Sequence, residues 1–304
     1  MGGFKMEKDE MTMERIGIVG IGLMGHGIAH NIVTKGWPLG YLHHAGNQPS
    51  DDLLQAGARQ FDDVASLAAE SDILLLCVTG TPQVEDVLTG SGDLLANLRP
   101  GMVVVDCSTA IPESTLALAR LVQDKGAHFI DAAMTRTPKE AHEGRLNLLI
   151  GGDPAIVDRV SPVLETFSEN RFYAGPVSSG HRLKLLHNFV SLGSVTLIAE
   201  AAACARAAGI DDAVLVDCLK RGGGYGAGLD RMAPYLLDGA VDQLRFTVSN
   251  SLKDLTYYNA MADEVGTPHL IAQATRDIMA RLVEDGHGDA LLPRQVDLMT
   301  KDGG

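Results

Sequence analysis

Arg15-Ile16-Gly17-Ile18-Val19-Gly20-Ile21-Gly22-Leu23-Met24-Gly25 is the stretch on which the reading of this chain turns. Residues 16–19 form an apolar run of strand length. Gly20, Gly22 and Gly25 follow in G-x-G-x-x-G spacing, and residues 27–33 continue as a helix that Gly36 and Pro38 stop. Strand, glycine turn and helix are the parts of a dinucleotide site. Gly20 makes the tight turn, Gly22 has no side chain where a pyrophosphate would lie, and Gly25 lets helix and strand pack closely. Leu23 and Met24 complete the turn, and the helix N-terminus behind them offers free N–H groups and a positive dipole to an anion. With 34 glycines in the chain, the spacing alone would be weak. The strand before it and the helix after it give it weight.

Outward from this turn, strand-like and helix-like segments alternate to about residue 175. Strands are expected over 16–19, 39–42, 73–78, 103–107, 129–131 and 146–150, and helices over 23–35, 64–70, 83–88, 112–125 and 155–167. The unbroken apolar runs 73–78 and 102–105 suit central parallel strands covered on both faces. In such an open sheet ligands bind beyond the carboxyl ends of the strands, so Val78, Thr79 and Thr109 are expected to face a cofactor. After Gly175-Pro176 the pattern becomes helical, over 182–208, 212–220, 230–237, 249–264 and 268–285. The expected fold is therefore α/β, a Rossmann-type doubly wound sheet over 15–176 followed by an all-helical domain over 177–304. Residues 1–14, charged and Met-rich, are expected to be a disordered lead-in.

Composition narrows the partners. The net charge is −14 and no Lys/Arg block occurs, which argues against nucleic acid or an anionic membrane. Cys77, Cys107, Cys204 and Cys218 are scattered, with no C-x-x-C, and are expected as free thiols in a reducing cytoplasm. The histidines show no metal spacing with carboxylates, and no metal is expected. The apolar stretch 189–205 is broken by Ser191, Ser194 and Glu200, so it reads as a helix covered by protein and not as a membrane span.

Within that helix, Lys184, Asn188 and Ser191 fall at i, i+4 and i+7 on one stripe, among Leu183, Leu185, Leu186, Phe189, Val190 and Leu192. A lysine so placed either snorkels to solvent or lines a wet cleft. Partial desolvation near an oxidised nicotinamide would move its pKa down toward working pH. It could then protonate an aldehyde oxygen as hydride arrives, or deprotonate an alcohol in reverse, with Asn188 holding that oxygen or the lysine in line.

Over about residues 14 to 300 the chain resembles the β-hydroxyacid dehydrogenases, the family of 3-hydroxyisobutyrate dehydrogenase and tartronate semialdehyde reductase, with 6-phosphogluconate dehydrogenase more distant. Four stretches carry the resemblance: the turn from Gly20 to Gly25, the segment Asp131-Ala132-Ala133-Met134-Thr135-Arg136-Thr137, Gly180-x-x-x-Lys184-x-x-x-Asn188, and Lys253-Asp254-Leu255. It implies Lys184 as general acid/base, Lys253 against cofactor and active site, and residues 135–137 in substrate binding. It also implies a helical domain that contributes to a homodimer or homotetramer.

Three departures bear on specificity. Where the family carries small residues, this chain has Thr135, Arg136 and Thr137, a fork of donors and two hydroxyls suited to a carboxylate or a sulfonate. The segment is similar to that of sulfolactaldehyde reductases, although Arg136 could instead point to solvent. His187 stands where the family has Asn; it contacts substrate, relays a proton, or packs on the helix flank. At the end of the second strand, where an acid about 20 residues past the turn would hold the ribose of NAD, the chain has His43 and His44. That absence permits NADP and tilts the reading slightly toward it over NAD.

The expected function is an NAD(P)-dependent oxidoreductase interconverting a short 3-hydroxy acid, or a similar anionic hydroxy compound, with its semialdehyde. Sulfolactaldehyde-type and succinic-semialdehyde-type reduction are the alternatives. An imine reductase or a catalytically idle nucleotide-binding protein fits less well, because Lys184, Asn188 and Lys253 are all present.

Overall fold

The computed structural model describes residues 13–301. Most of the expected lead-in lies outside that range; Glu14, which lies inside it, accepts from Arg159 Nε at 2.8 Å. The chain divides into two compact units between His181 and Arg182.

The first unit alternates strands and helices. It runs β1 (Ile16–Val19), α1 (Gly25–Thr34), β2 (Leu39–Leu42), α2 (Asp51–Gln55), β3 (Arg59–Phe61), α3 (Val64–Ala69), β4 (Ile73–Leu76), α4 (Thr81–Thr89), α5 (Leu94–Asn97) and β5 (Val103–Asp106). It continues α6 (Pro112–Asp124), β6 (His128–Thr135), α7 (Pro138–His142), β7 (Leu146–Gly151), α8 (Pro154–Phe167) and β8 (Ser168–Gly175). The strands form one sheet in the order β3-β2-β1-β4-β5-β6-β7-β8, parallel except that β7 runs against β6. The first six positions are the doubly wound order, with its switch point between β1 and β4.

Side-chain alternation explains why helices cover both faces. Ile16, Ile18, Ile73, Leu75, Val103 and Val105 join a core with Ile28 and Ile32 of α1 and Val160, Val163 and Phe167 of α8. Val19, Leu74, Leu76 and Val104 enter the opposite core with Leu67 of α3, Val84 of α4 and Leu118 and Val122 of α6. Successive residues of one apolar strand thus feed two layers, which is why those strands read as unbroken hydrophobic runs. Two strands were not expected. β3 is a three-residue partly exposed edge, and β8 (SENRFYAG) is polar and mostly exposed, so neither carries the apolar signal of a covered strand.

The second unit is helical. α9 (Ser179–Ala207) begins in the first unit and continues into the second, followed by α10 (Asp212–Arg221), α11 (Ala227–Asp238), α12 (Val248–Glu264), α13 (Leu270–Glu284), a short 3-10 turn (Leu292–Arg294) and α14 (Gln295–Lys301). Leu192, Val195 and Ala199 of α9 pack with Met232 and Leu236 of α11, Leu255 of α12 and Met279 of α13. Phe189 stacks on Tyr258 with ring centroids 4.4 Å apart. A Cβ on Gly228, the second residue of α11, would come within 3.0 Å of Ser194 Cβ, so the glycine lets that helix approach α9 closely.

Candidate active site

The glycine turn is shaped as its sequence requires. Gly20 has φ +96, and a Cβ there would lie 2.3 Å from the Cys77 carbonyl oxygen. A Cβ on Gly25 would fall 1.9 Å from the Gly20 carbonyl oxygen. Gly22 differs: a Cβ there would meet nothing within 4 Å, so the space above it is open. Two glycines are thus demanded by the protein's own packing, and the third leaves room for something else, which is the arrangement a pyrophosphate needs. The N-cap of α1, Met24, makes no side-chain cap bond, and the first turn carries no acid, so its positive end is uncompensated. Leu23 is exposed, while Met24 packs partly against the core.

At the neighbouring strand ends, Val78 N–H donates to Ser108 Oγ at 3.1 Å, tying the loop after β4 to the loop after β5. Thr79 is exposed and Thr109 half-buried beside it in sequence register.

Beyond β2, His43 N–H donates to the Phe61 carbonyl at 2.7 Å, and both His43 and His44 are exposed. Gly46 N–H donates to His44 Nδ1 at 3.0 Å. With Nδ1 accepting, the hydrogen of a neutral ring sits on Nε2, which makes His44 a donor toward solvent. Asn47 turns back to the Leu42 carbonyl at 2.9 Å. Of the next acids, Asp51 and Asp52, the second is held by His26 Nε2 at 3.1 Å and His30 Nδ1 at 3.5 Å, and against its burial the two histidines help hold its carboxyl below the usual range. This His26–Asp52–His30 arrangement was not foreseen. The i, i+4 histidines of α1 could have signalled a shared face, but nothing local pointed to Asp52.

In the segment 135–137, each residue has a local partner. Thr135 is buried and accepts from Asn147 Nδ2 at 3.0 Å. Arg136 has φ +85, and its guanidinium donates to the Glu169 carboxylate and to the Arg145 carbonyl. The hydrogen bond from Arg136 is the main reason that Glu169 titrates below its usual value. Thr137 donates through its hydroxyl (2.5 Å) and its N–H (3.0 Å) to Glu140, closing a capping box on α7.

In the second unit, Lys184 and Asn188 lie one turn apart on α9. Asn188 is buried; its Nδ2 donates to Asp254 Oδ2 at 2.6 Å, and its Oδ1 lies 3.0 Å from His187 Nδ1. A carbonyl oxygen only accepts, so His187 carries its hydrogen on Nδ1. Burial pushes the His187 pKa down, helped by Lys184 and Arg231 and opposed by the Asn188 hydrogen bond. Lys253 Nζ stands 3.3 Å from Asp254 Oδ1 and 5.7 Å from the Tyr257 ring centroid. Lys184 is half-buried, and desolvation pushes its pKa down to about 8. The Asp254 carboxylate opposes that fall, while Lys253 and Arg231 add to it. Lys184, Asn188 and Lys253 are therefore gathered around one buried carboxylate, Asp254, while the exposed His187 is linked to it through Asn188. The sequence reading used Asp254 only as part of a motif.

Among the described residues no group of three or more His, Cys, Asp or Glu could hold a metal ion, and all four cysteines are free. α9 is long and apolar enough to cross a membrane by length and composition alone; 44% of its most apolar window is buried within the protein.

Residues 15–175 match the model of the NAD binding domain of 6-phosphogluconate dehydrogenase. Residues 178–299 match that of the NAD-binding domain of NADP-dependent 3-hydroxyisobutyrate dehydrogenase. Among similar proteins, the cytokine-like nuclear factor N-PAC of Xenopus tropicalis is 28% identical over 270 residues, 89% of this chain. This chain spans half the length of that relative. The uncharacterized oxidoreductase YkwC of Bacillus subtilis is 26% identical over 276 residues, 90% of this chain and 95% of its own. Among solved structures, 3-hydroxyisobutyrate dehydrogenase of Mycobacterium tuberculosis with L-serine superposes with a TM-score of 0.84 at 23% identity, covering 95% of this chain and 99% of that one.

Proposed function

Because the chain belongs to the β-hydroxyacid dehydrogenase family, we propose that it interconverts a short anionic 3-hydroxy acid and its semialdehyde with NAD(P), using Lys184 as general acid/base. The observation that carries this reading is the lysine itself. A half-buried ammonium with its pKa pushed down to about 8, one turn from a buried Asn–Asp pair, is poised to give or take a proton near neutral pH. Structural lysines are seldom desolvated without such a reason.

The nicotinamide, when bound, supplies or accepts the hydride at the carbon that bears the oxygen. The turn at Gly20, Gly22 and Gly25 fits its pyrophosphate, because only Gly22 opens on unfilled space. The remaining work falls to side chains. In reduction Lys184 gives its proton to the aldehyde oxygen; in oxidation neutral Lys184 takes the alcohol proton. Asn188, with one Nδ2 hydrogen committed to Asp254, has a second with which to hold that oxygen. Lys253 shares the Asp254 carboxylate and keeps positive charge beside the reacting centre.

For the acid group of the substrate, Arg136 with Thr135 and Thr137 is the proposed anchor. An anion there shares the guanidinium with Glu169, and Arg has donors enough for both. His187, its Nε2 left as an acceptor, would face a substrate hydroxyl. On the ribose side, the Nε2 hydrogen of His44 and the absence of a free carboxylate in that loop support NADP over NAD. The apolar residues Leu186, Val190 and Leu197, exposed along α9, support self-association.

The test is spectrophotometric. Oxidation of NADPH and NADH is followed with a panel of three- and four-carbon semialdehydes, sulfolactaldehyde included, for the native chain and for Lys184→Ala. Turnover of at least one member, lost in the variant, is expected. Unchanged turnover in Lys184→Ala would refute the role given to that lysine.

A further inference from the structure

Asp106 and Asp131 are register partners on the adjacent parallel strands β5 and β6, and neither has any solvent exposure. Two carboxylates side by side in a closed interior repel one another and have lost their water, so each needs partners. Both turn to the same residue, His181, in the first turn of α9. Asp131 accepts the Ser178 N–H on Oδ1 and the His181 N–H on Oδ2, each at 2.7 Å, so a strand carboxylate stands at the positive end of a 29-residue helix. Asp106 Oδ1 accepts the Ser108 N–H at 2.8 Å. Its Oδ2 faces His181 Nε2 at 3.8 Å, and neither atom has a hydrogen-bond partner among the described residues.

Proton positions follow from valence. His181 Nδ1 is 2.7 Å from Thr115 Oγ1, and that hydroxyl is also 3.1 Å from the Ile111 carbonyl. A hydroxyl has one hydrogen. Given to His181 Nδ1, it leaves the ring hydrogen on Nε2. Given to Ile111, it requires a hydrogen on Nδ1; a bare Nε2 would then face a bare Oδ2 in a closed interior. Both arrangements therefore favour a hydrogen on Nε2, on the side of Asp106 Oδ2. The other titratable groups beside Asp106 are Cys77, whose thiol burial pushes up to about 12, and Cys107, whose thiol burial also pushes well above its usual value, so both stay uncharged.

The docking of this turn is also tight in its backbone. A Cβ on Gly180 would lie 2.3 Å from the Leu149 carbonyl oxygen and 2.8 Å from Asp131 Oδ2, and a Cβ on Gly151 would lie 2.8 Å from Gly180 N. The helix start is held by two neighbouring strands, through a backbone bond to Asp131 and a ring contact to Asp106, and Lys184 comes three residues later.

We propose that His181 is a positioning residue: by joining Asp131 through its N–H and Asp106 through its ring, it fixes the first turn of the helix that carries Lys184. Its kinetic consequence rests on the role proposed for Lys184; its structural consequence does not.

The test combines amide exchange with kinetics. In His181→Leu the peptide covering 178–186 is expected to exchange at least about tenfold faster than in the native chain. kcat falls by about tenfold or more while KM for the nicotinamide cofactor changes less than about twofold. His181→Gln, whose side-chain N–H can reach toward Asp106, recovers most of both. Native exchange in His181→Leu, or equal defects in the Leu and Gln variants, overturns the proposal. Should His181→Leu fail to fold, two measurements stand in its place. Thr115→Val is expected to speed exchange in the same peptide, and native exchange there counts against the proposal. The ring nitrogens of His181 in the native chain, read by NMR, should show a hydrogen on Nε2, and a bare Nε2 overturns it. If Lys184→Ala is fully active, the function proposed above fails while the exchange result stands or falls by itself.

Discussion

The Asn188 carboxamide donates to the buried Asp254 carboxylate at 2.6 Å, and that carboxylate is also the group that holds up the charge on Lys184. One acid thus orients the amide and tunes the amine. Asp254→Asn removes the negative charge that raises the lysine pKa and leaves desolvation, Lys253 and Arg231 unopposed. The reductive kcat/KM is expected to fall by about tenfold to a hundredfold, with its alkaline limb moved to lower pH. A pH-rate profile of the variant checks both, and an unmoved limb would show that Asp254 does not act on Lys184.

With charged Lys184 as the proposed proton donor for reduction, reductive kcat/KM should decline as pH rises through about 8, and oxidative kcat/KM should rise through the same value. Stability carries the matching sign. The folded pKa lies below the ordinary 10.5, so the unfolded chain binds more protons between about 8 and 10.5, and stability rises with pH across that window. Lys184→Met is expected to raise the Tm at pH 7, by at most about 3 kcal/mol of stability, with the gain vanishing toward pH 10.5. Melting curves at pH 7 and pH 10 measure it.

The glycines of the turn should separate into two kinds. Gly25→Ala drives a methyl into the Gly20 carbonyl and is expected to cost about 3 kcal/mol or more, or to prevent folding. Gly22→Ala meets no protein atom, so its Tm should stay near native while NAD(P)H affinity drops by about tenfold or more. Thermal melts with cofactor titration by fluorescence distinguish these. Equal affinities for native and Gly22→Ala protein would remove the pyrophosphate from that space.

His44 offers a donor and no charge of the wrong sign. His44→Glu should shift preference from NADPH toward NADH by about tenfold or more, through repulsion of a 2′-phosphate and capture of a ribose hydroxyl. Initial rates with the two cofactors at matched concentrations give the ratio.

With Arg136 as the proposed anchor, Glu169 would compete with substrate for its guanidinium. Glu169→Gln should lower KM for the anionic substrate several-fold with kcat little changed, and Arg136→Gln should raise KM by about tenfold or more. Equal KM values in all three proteins would place the acid group elsewhere.

Much of this was legible in the chain. The two faces of β4 and β5 were visible because every residue of 73–76 and 103–105 is apolar, and the helical second half because no alternating run breaks it. Lys184 and Asn188 were visible because α-helical spacing places them on one stripe. Asp254 as the common partner was not, since 66 residues separate it from Asn188 and only tertiary packing joins them. Nor was the Arg136–Glu169 pair, because Glu169 lies in β8, a strand too polar to announce itself. His181 read as one more histidine: its meaning comes from two strands that meet it in space.

The turn that carries Arg136 is fastened at both ends by bonds that do not involve the Arg136 side chain. On one side β6 and β7 are in register from Asp131 opposite Gly151 to Thr135 opposite Asn147, with Asp131 spent on the start of α9. On the other, Glu140 closes α7 on Thr137 itself, and Asn31 of α1 donates to the last carbonyls of that helix. The side chain at Arg136 can therefore change while sheet and helix keep their places. The segment behaves as an exchangeable cassette, through which a lineage could try new acids without rebuilding the rest of the enzyme.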